Sequence, residues 1–288
     1  MPNGIVVIDK PAGWTSMDVC AKLRGILKEK RVGHGGTLDP MATGVLPVFV
    51  GTATKAVEFA EKGDKEYIAG LRLGKVTNTQ DITGEVLEAR PVSVSREELE
   101  AVLPRFTGSI EQIPPMYSAI KINGKKLYEL ARKGREVERQ PRPVVVHTLE
   151  VLERSGETEY LLRIRCSKGT YVRTLCHDIG QALGCGGCMS SLRRTMAAGF
   201  TLKDAVAMEQ VQEQGGDLLL PVDCFFAGCP VLYLTSSKAE RQVRNGSPIP
   251  APGLEPGRYR IYGREKEFLC LSQWEKGQLR SVKNFFGG

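Results

Sequence analysis

Asp39-Pro40 closes the run Arg31-Val32-Gly33-His34-Gly35-Gly36-Thr37-Leu38-Asp39-Pro40, which holds three glycines and the first of the chain's three histidines. Carboxylate and imidazole groups serve as nucleophile, general acid or general base near neutral pH. Glycines at this density let a ligand approach the main chain, and Pro40 biases Asp39 away from helix. Asp39 is therefore expected on an ordered loop, against the alternative of a plain Gly-rich turn in which it is a local turn residue. A phosphate cradle fits poorly, because no Gly-Lys-Ser/Thr ending follows the glycines. A second cluster is Cys166-Ser167-Lys168-Gly169-Thr170-Tyr171-Val172-Arg173. A strand ending in Ser-Lys-Gly-Thr and feeding a helix to about Leu183 puts Tyr171 and Arg173 in the first helical turn, where main-chain amides and a guanidinium favour an anion. Cys185-Gly-Gly-Cys188 has the spacing of a redox pair or half a zinc site. Its candidate partners are the loosely spaced Cys224 and Cys229 and nearby His177, so the eight cysteines read better as reduced thiols in apolar segments.

These groups need elements to hold them. Ile5-Val6-Val7-Ile8 reads as a strand from whose end Lys10 projects, and Ser16 as the N-cap of a helix to about Glu29 with Met17, Cys20, Leu23, Ile26 and Leu27 on its apolar face. The glycine loop follows, and Val45 to Val50 reads as a buried strand anchoring it. Thr54 to Lys62 reads as a short helix and Glu66 to Leu73 as a strand with Tyr67 at its start; the polar stretch Thr77 to Gly84 is a loop. Ser95-Arg96-Glu97-Glu98 is a capping box opening a helix to about Leu103. A turn at Asn123-Gly124 and a helix from Lys125 to Lys133 follow Pro114-Pro115. Val144 to Val151 and Tyr160 to Cys166 read as antiparallel strands across a Ser155-Gly156 turn, and Thr201 opens a helix to about Gln214. After Gly215 the chain turns into short segments punctuated by Pro and Gly: strands at Val231 to Leu234, Arg258 to Tyr262, Phe268 to Leu271 and Leu279 to Lys283, with a helix at Ser236 to Arg244. That pattern describes a small, mostly β unit.

At 288 residues, 41% hydrophobic and 25% charged, the chain has the composition of a soluble globular protein of one large and one small domain. No apolar run is long enough to span a membrane and no leader pattern opens the chain, so a cytoplasmic protein is expected. The net charge is +7, and its distribution is uneven. Between Met116 and Arg142 eight basic residues (Lys121, Lys125, Lys126, Arg132, Lys133, Arg135, Arg139, Arg142) face three acidic ones, so this segment alone carries +5. It reads as a cationic protrusion suited to a polyanion, the alternative being a solvated, salt-bridged excursion.

Taken together, Gly33-His34-x-Gly36-x-Leu38-Asp39-Pro40-x-Ala42-Thr43-Gly44, Asp64-Lys65-x-Tyr67, Pro114 to Ala119 with Lys126 to Ala131, Cys166 to Arg173 and Leu192-Arg193-Arg194 resemble, in order, the tRNA pseudouridine synthases of the TruB family. The resemblance covers nearly all of the first 210 residues; Gly35 stands where threonine is commoner in the family. It implies an α+β pseudouridine synthase fold, with a mixed, largely antiparallel central sheet flanked by helices over residues 1–228. Residues 116–142 would be an RNA-gripping insertion and residues 229–288 a small β-barrel-like PUA RNA-binding domain. It implies isomerisation of uridine 55 in the T arm of tRNA, with no cofactor and no metal, by a monomer that also assists tRNA folding. The resemblance assigns Asp39 as the catalytic carboxylate, Tyr67 as the ring packed on the target base and Tyr171 and Leu192 as pocket contacts. His34 becomes an RNA contact, Arg173 the partner of Asp39, and Lys10 a further pocket residue. Lys121, Lys125, Lys126, Arg132 and Lys133 would hold the RNA backbone. A non-catalytic RNA-binding factor on the same scaffold would not require Asp39, Tyr67, Tyr171 and Arg173 together. A metal-dependent nuclease fits poorly, because no acidic cluster surrounds His34 or Asp39.

Overall fold

The computed structural model describes residues 1–122 and 124–287, so the turn expected at Asn123-Gly124 lies partly outside the described residues. Its centre is a sheet built from β1 (Gly4–Lys10), β2 (Val32–His34), β3 (Thr43–Val50), β4 (Lys65–Leu73), β5 (Gly108–Gln112), β6 (Arg142–Gly156), β7 (Glu159–Cys166), β8 (Gly187–Ala197) and β9 (Phe200–Thr201). The order is β1-β3-β8-β4-β7-β6-β5, with β2 added to β3 and β9 to β8. Among the described residues of this sheet only the β3/β8 strand pairing is parallel, as expected of a mixed, largely antiparallel sheet. The β6/β7 turn falls one step beyond the expected place, because β6 runs through Ser155-Gly156 and Gly156 pairs with Glu159.

Helix α1 (Ser16–Leu27) lies on one face, burying Val19, Cys20, Leu23 and Leu27 against Val6, Ile8, Val48 and Val50. Its N-cap is Thr15, which forms a capping box with Asp18, and not Ser16; Met17 points to solvent. The Ser16 hydroxyl is thereby free to hold the main chain of Leu38. Farther along the same face, as the Lys10–Gly44–Arg194–Tyr67 register shows, α2 (Val172–Ala182) packs Val172, Leu175, Cys176 and Ile179 onto Leu71, Leu162, Ile164 and Met189. The helix expected from Thr201 to Gln214 is broken into a single turn at Leu202–Asp204 and a helix at Met208–Gln214. Val206 between them is drawn into a bridge with Ile8, donating to the Val7 carbonyl and accepting from Asp9. With the Ile5–Leu220 bridge this covers the open edge of β1, and satisfying those edge groups outweighs continuing a helix.

The tail forms a second sheet from β10 (Val231–Tyr233), β11 (Ile249–Pro250), β12 (Arg258–Tyr262), β13 (Phe268–Glu275) and β14 (Gln278–Asn284), in the order β10-β12-β13-β14-β11. An aromatic cluster joins it to the large sheet: Phe226 meets Phe59 at 5.5 Å and Phe285 at 5.6 Å, and Phe225 meets Phe49 at 5.8 Å. The two sheets thus share a core across residues 222–229. No helix among the described residues is long and apolar enough to cross a membrane.

Candidate active site

The edge of β3 that faces away from β1 is divided between two partners. β2 takes Val48 to Val50 and β8 takes Thr43 and Gly44, and the loop carrying Asp39 leaves the sheet where these two partners part. Its main chain is anchored almost residue by residue. Arg194, 1% exposed, donates from Nη2 to Gly36 O (3.1 Å), from Nη1 to Thr37 O (3.4 Å) and from Nε to Val45 O (2.7 Å). The Ser16 hydroxyl accepts from Leu38 N (2.8 Å) and donates to Leu38 O (3.3 Å). Ala42 N donates to Asp39 O and Gly13 N to Pro40 O. Lys10 is fully buried and its ammonium donates to the carbonyls of Pro40 (3.3 Å), Pro11 (2.9 Å) and Trp14 (2.6 Å). A buried ammonium must satisfy its three donors internally, and Lys10 does so by bracing the loop.

Two glycines in the loop have distinct physical reasons. Gly36 has φ +130°, a backbone conformation that side chains disfavour. Gly35 has an ordinary backbone, but a Cβ there would stand 2.8 Å from Ala60 Cβ and 3.2 Å from the Phe49 ring. It makes room for the core beneath the loop, not for a ligand above it.

Asp39 presents a carboxylate whose side chain is 34% exposed, 3.0 Å from Arg173 Nε. Arg173 enters from the first turn of α2, and its other donors are all engaged. Nη1 donates to Thr79 O (3.3 Å) and lies 3.6 Å from Asp81 Oδ2, while Nη2 donates to Tyr117 O (2.9 Å). Asp81 is itself oriented by the Thr79 hydroxyl (2.9 Å) and Thr83 N (3.0 Å). This second carboxylate was not legible in the sequence, where Thr77 to Gly84 reads only as a polar loop. Its turn-forming hydrogen bonds are local, but its functional partner is distant in the chain.

Burial pushes the Asp39 carboxyl above its ordinary value; Arg173 opposes this, Asp81 adds to it and Lys10 opposes it. Arg173 thus counters the protonation of a desolvated carboxylate without cancelling it. Burial also brings the Lys10 ammonium down to about 8. The His34 imidazole is lowered by burial and then by the Arg194 charge, which makes it neutral at pH 7; its Nδ1 accepts from Gly36 N at 3.4 Å.

The side chains beside the loop form an apolar, contiguous cluster. Leu38, Ala42, Tyr67 and Leu192 belong to one buried cluster, with Tyr67 on β4 in register with Arg194 on β8 and Leu192 in register with Ala69. The Tyr67 hydroxyl is pushed up by burial, opposed by the adjacent Arg194 charge. Tyr171 precedes α2 and is half-buried. Asp39, Arg173, Tyr67, Leu192, Tyr171 and His34, separated by up to about 160 positions in the sequence, are thereby assembled around the loop.

The basic residues lie apart from this cluster. Lys121–Ile122 and Lys125–Lys126 form a small two-stranded ribbon that runs into a helix at Leu127–Ala131. Lys121, Lys125, Arg132 and Lys133 are exposed, and Lys126 and Arg132 each lie 5.4 Å from the Tyr128 ring centre. Cys185 and Cys188 are buried, whereas Cys224 is exposed and Cys229 half-buried, so the tail pair are not core thiols. The glycines of Cys185-Gly-Gly-Cys188 give that motif a packing role: a Cβ on Gly180 of α2 would stand 2.2 Å from Gly187 N, so helix and strand meet backbone to backbone. No three His, Cys, Asp or Glu residues converge on one point among the described residues. A cavity of about 880 Å³ bounded by Phe59, Asp64, Arg165, Met196 and Phe225 contains none of the Asp39 cluster.

The sequence profile of TruB family pseudouridylate synthase (N terminal domain) matches residues 24–172, and that of the tRNA pseudouridylate synthase B C-terminal domain matches residues 173–224. A tRNA pseudouridine synthase B from Azoarcus sp. (strain BH72) is 44% identical over 284 residues, covering 96% of this chain and 93% of the relative. The protein of that name from Alkaliphilus oremlandii (strain OhILAs) is 49% identical over 253 residues, 86% of this chain and 83% of the relative. Among solved structures, a Cbf5-Nop10-Gar1 complex contains a chain that superposes with a TM-score of 0.74 at 28% identity, over 98% of this chain and 85% of that one. An H/ACA RNP bound to a substrate RNA containing 2'-deoxyuridine contains another, with a TM-score of 0.74 at 26% identity, over 99% and 85%.

Proposed function

The chain belongs to the TruB family of pseudouridylate synthases, and on that premise we infer that it isomerises uridine 55 in the T arm of tRNA to pseudouridine, as a cytoplasmic monomer. The N1–C1′ glycosidic bond breaks, the uracil turns, and a C5–C1′ bond forms; C5 gives up a proton and N1 gains one. The exchange is redox-neutral, so acid–base and electrostatic groups suffice for it.

The observation that carries the reading is a partly exposed Asp39 carboxylate held 3.0 Å from Arg173 Nε on a loop whose carbonyls are clamped by Arg194 and Lys10. Such anchoring fixes a reactive group before substrate arrives. Asp39 acts as the anion at the reacting nucleoside, and Arg173 favours its ionised form. A base within a folded T loop must be flipped out and stacked to be reached. Tyr67 supplies the ring, Leu192 and Tyr171 the pocket walls, and His34 a neutral contact to the displaced RNA. Residues 1–228 act as the catalytic unit. Lys121, Lys125, Lys126, Arg132 and Lys133 hold the phosphate backbone, and the 229–288 sheet extends the RNA contact as a PUA-like domain.

Incubating the purified protein with a tRNA transcript and no added cofactor, then mapping pseudouridine, tests the reaction. Asp39→Asn should abolish product while leaving RNA affinity largely intact. Full activity in that variant would refute the assignment.

A further inference from the structure

The 116–142 excursion leaves the large sheet through a narrow neck. Gln112, the last residue of the edge strand β5, stands opposite Arg142, the first residue of β6. The residues between them leave the sheet at that cross-strand pair. The Gln112 side chain is buried, the residue being 2% exposed, and turns away from the excursion toward α2. Its Oε1 accepts from Tyr171 N at 2.8 Å, and its Nε2 donates to Tyr171 O at 3.0 Å. A primary amide that pairs both main-chain groups of one residue reproduces a rung of antiparallel ladder, and two bonds fix orientation where one would leave a pivot. Tyr171 is the residue at which α2 begins; it has no side-chain cap of its own, and Arg173 follows two residues later. A second tie joins the same two parts: Arg173 Nη2 donates to Tyr117 O, at the foot of the excursion, while Arg173 Nε pairs with Asp39.

We propose that Gln112 is a positioning residue that couples the excursion to the catalytic pair: through its paired hydrogen bonds to Tyr171, RNA held by the excursion and the alignment of Tyr171 and Arg173 against Asp39 become one mechanical unit. The inference rests on the tRNA isomerisation reading above. It differs from a purely structural role for a satisfied buried amide, which would alter stability and leave the chemistry of bound RNA alone.

The test measures single-turnover pseudouridine formation at saturating protein, RNA affinity by filter binding, and thermal midpoint. Wild-type protein comes first; if it forms no pseudouridine, the reaction itself is refuted before any variant is examined. Gln112→Met keeps length and removes both hydrogen bonds. It should lower the single-turnover rate by about tenfold or more with affinity unchanged, since small misplacements at a reacting centre carry large rate effects. Gln112→Glu keeps the acceptor for Tyr171 N and loses the donor to Tyr171 O, and should fall between the two. That variant decides the matter if Gln112→Met does not fold. A combined K125Q, K126Q, R132Q and K133Q substitution should slow the chemical step in the wild-type background and add little in the Gln112 variant, because the link is already cut. A wild-type rate in a folded Gln112 variant, or a fully additive loss, would overturn the coupling.

Discussion

Replacing Asp81 by asparagine separates the two effects that this carboxylate exerts on the site. The substitution preserves shape and keeps an oxygen for the Thr79 hydroxyl and Thr83 N. What is lost is the negative charge 3.6 Å from Arg173 Nη1, between side chains that are each only 7% exposed. Breaking a buried ion pair by removing one partner costs about 3–5 kcal/mol. Arg173 retains Asp39 and two carbonyls, so about 2–3 kcal/mol is the part expected to appear as lost alignment in the transition state. At 1.36 kcal/mol per decade that is about 30- to 150-fold in kcat. The second effect has the opposite sign. Asp81 is one of the groups that push the Asp39 carboxyl up, so its removal should bring Asp39 down and move the acid limb of the pH–rate profile to lower pH. Single-turnover rates across pH 5 to 8 would show a lower plateau reached at a lower pH. An unchanged plateau, or an acid limb displaced upward, would refute the view that Asp81 orients Arg173 while raising Asp39.

Three further outcomes can be checked directly. Gly35→Thr should destabilise the protein by about 1–3 kcal/mol in urea denaturation, because its Cβ meets Ala60 and Phe49; adding Ala60→Gly should recover part of the loss. Burial alone pushes the Asp178 carboxyl up to about 6, and no hydrogen bond or ion pair compensates it among the described residues. The folded state therefore favours the neutral form, and stability is lost as pH rises from the ordinary carboxylate value through about 6. Asp178→Asn should accordingly gain about 1–2 kcal/mol at pH 8 and nothing at pH 3.5, as read by denaturant midpoints. Neutralising Lys125, Lys126, Arg132 and Lys133 together should flatten the salt dependence of tRNA binding by about one unit of slope for each phosphate no longer neutralised, and an unchanged slope would remove the segment from the interface.

The pieces of this protein that depend on nearby residues were legible in its sequence. Strand β1 follows from Ile5-Val6-Val7-Ile8, the helix at Arg96–Val102 from the Ser95 capping box, and the β6/β7 pair from alternation. The cationic 116–142 segment follows from composition, and the order of short motifs pointed to the family and to Asp39, Tyr67, Tyr171, Arg173 and Leu192. Local patterns record local energies, and those are strong in capped helices and alternating strands.

Tertiary structure decided what the buried polar groups do. Lys10 and Arg194 carry the same charge as any surface lysine or arginine, and nothing in their neighbours reveals that they clamp loop carbonyls from within the core. Asp81 sits in a stretch that reads as a polar loop and Gln112 just before Pro114-Pro115, where the sequence reads as no particular element, and their partners Arg173 and Tyr171 come from another element altogether. The helix after Thr201 broke because Val206 was needed at the edge of β1. In each case the deciding quantity is the cost of leaving a donor, an acceptor or a charge unpaired away from water. That cost exists only once the chain has folded and closed around the group.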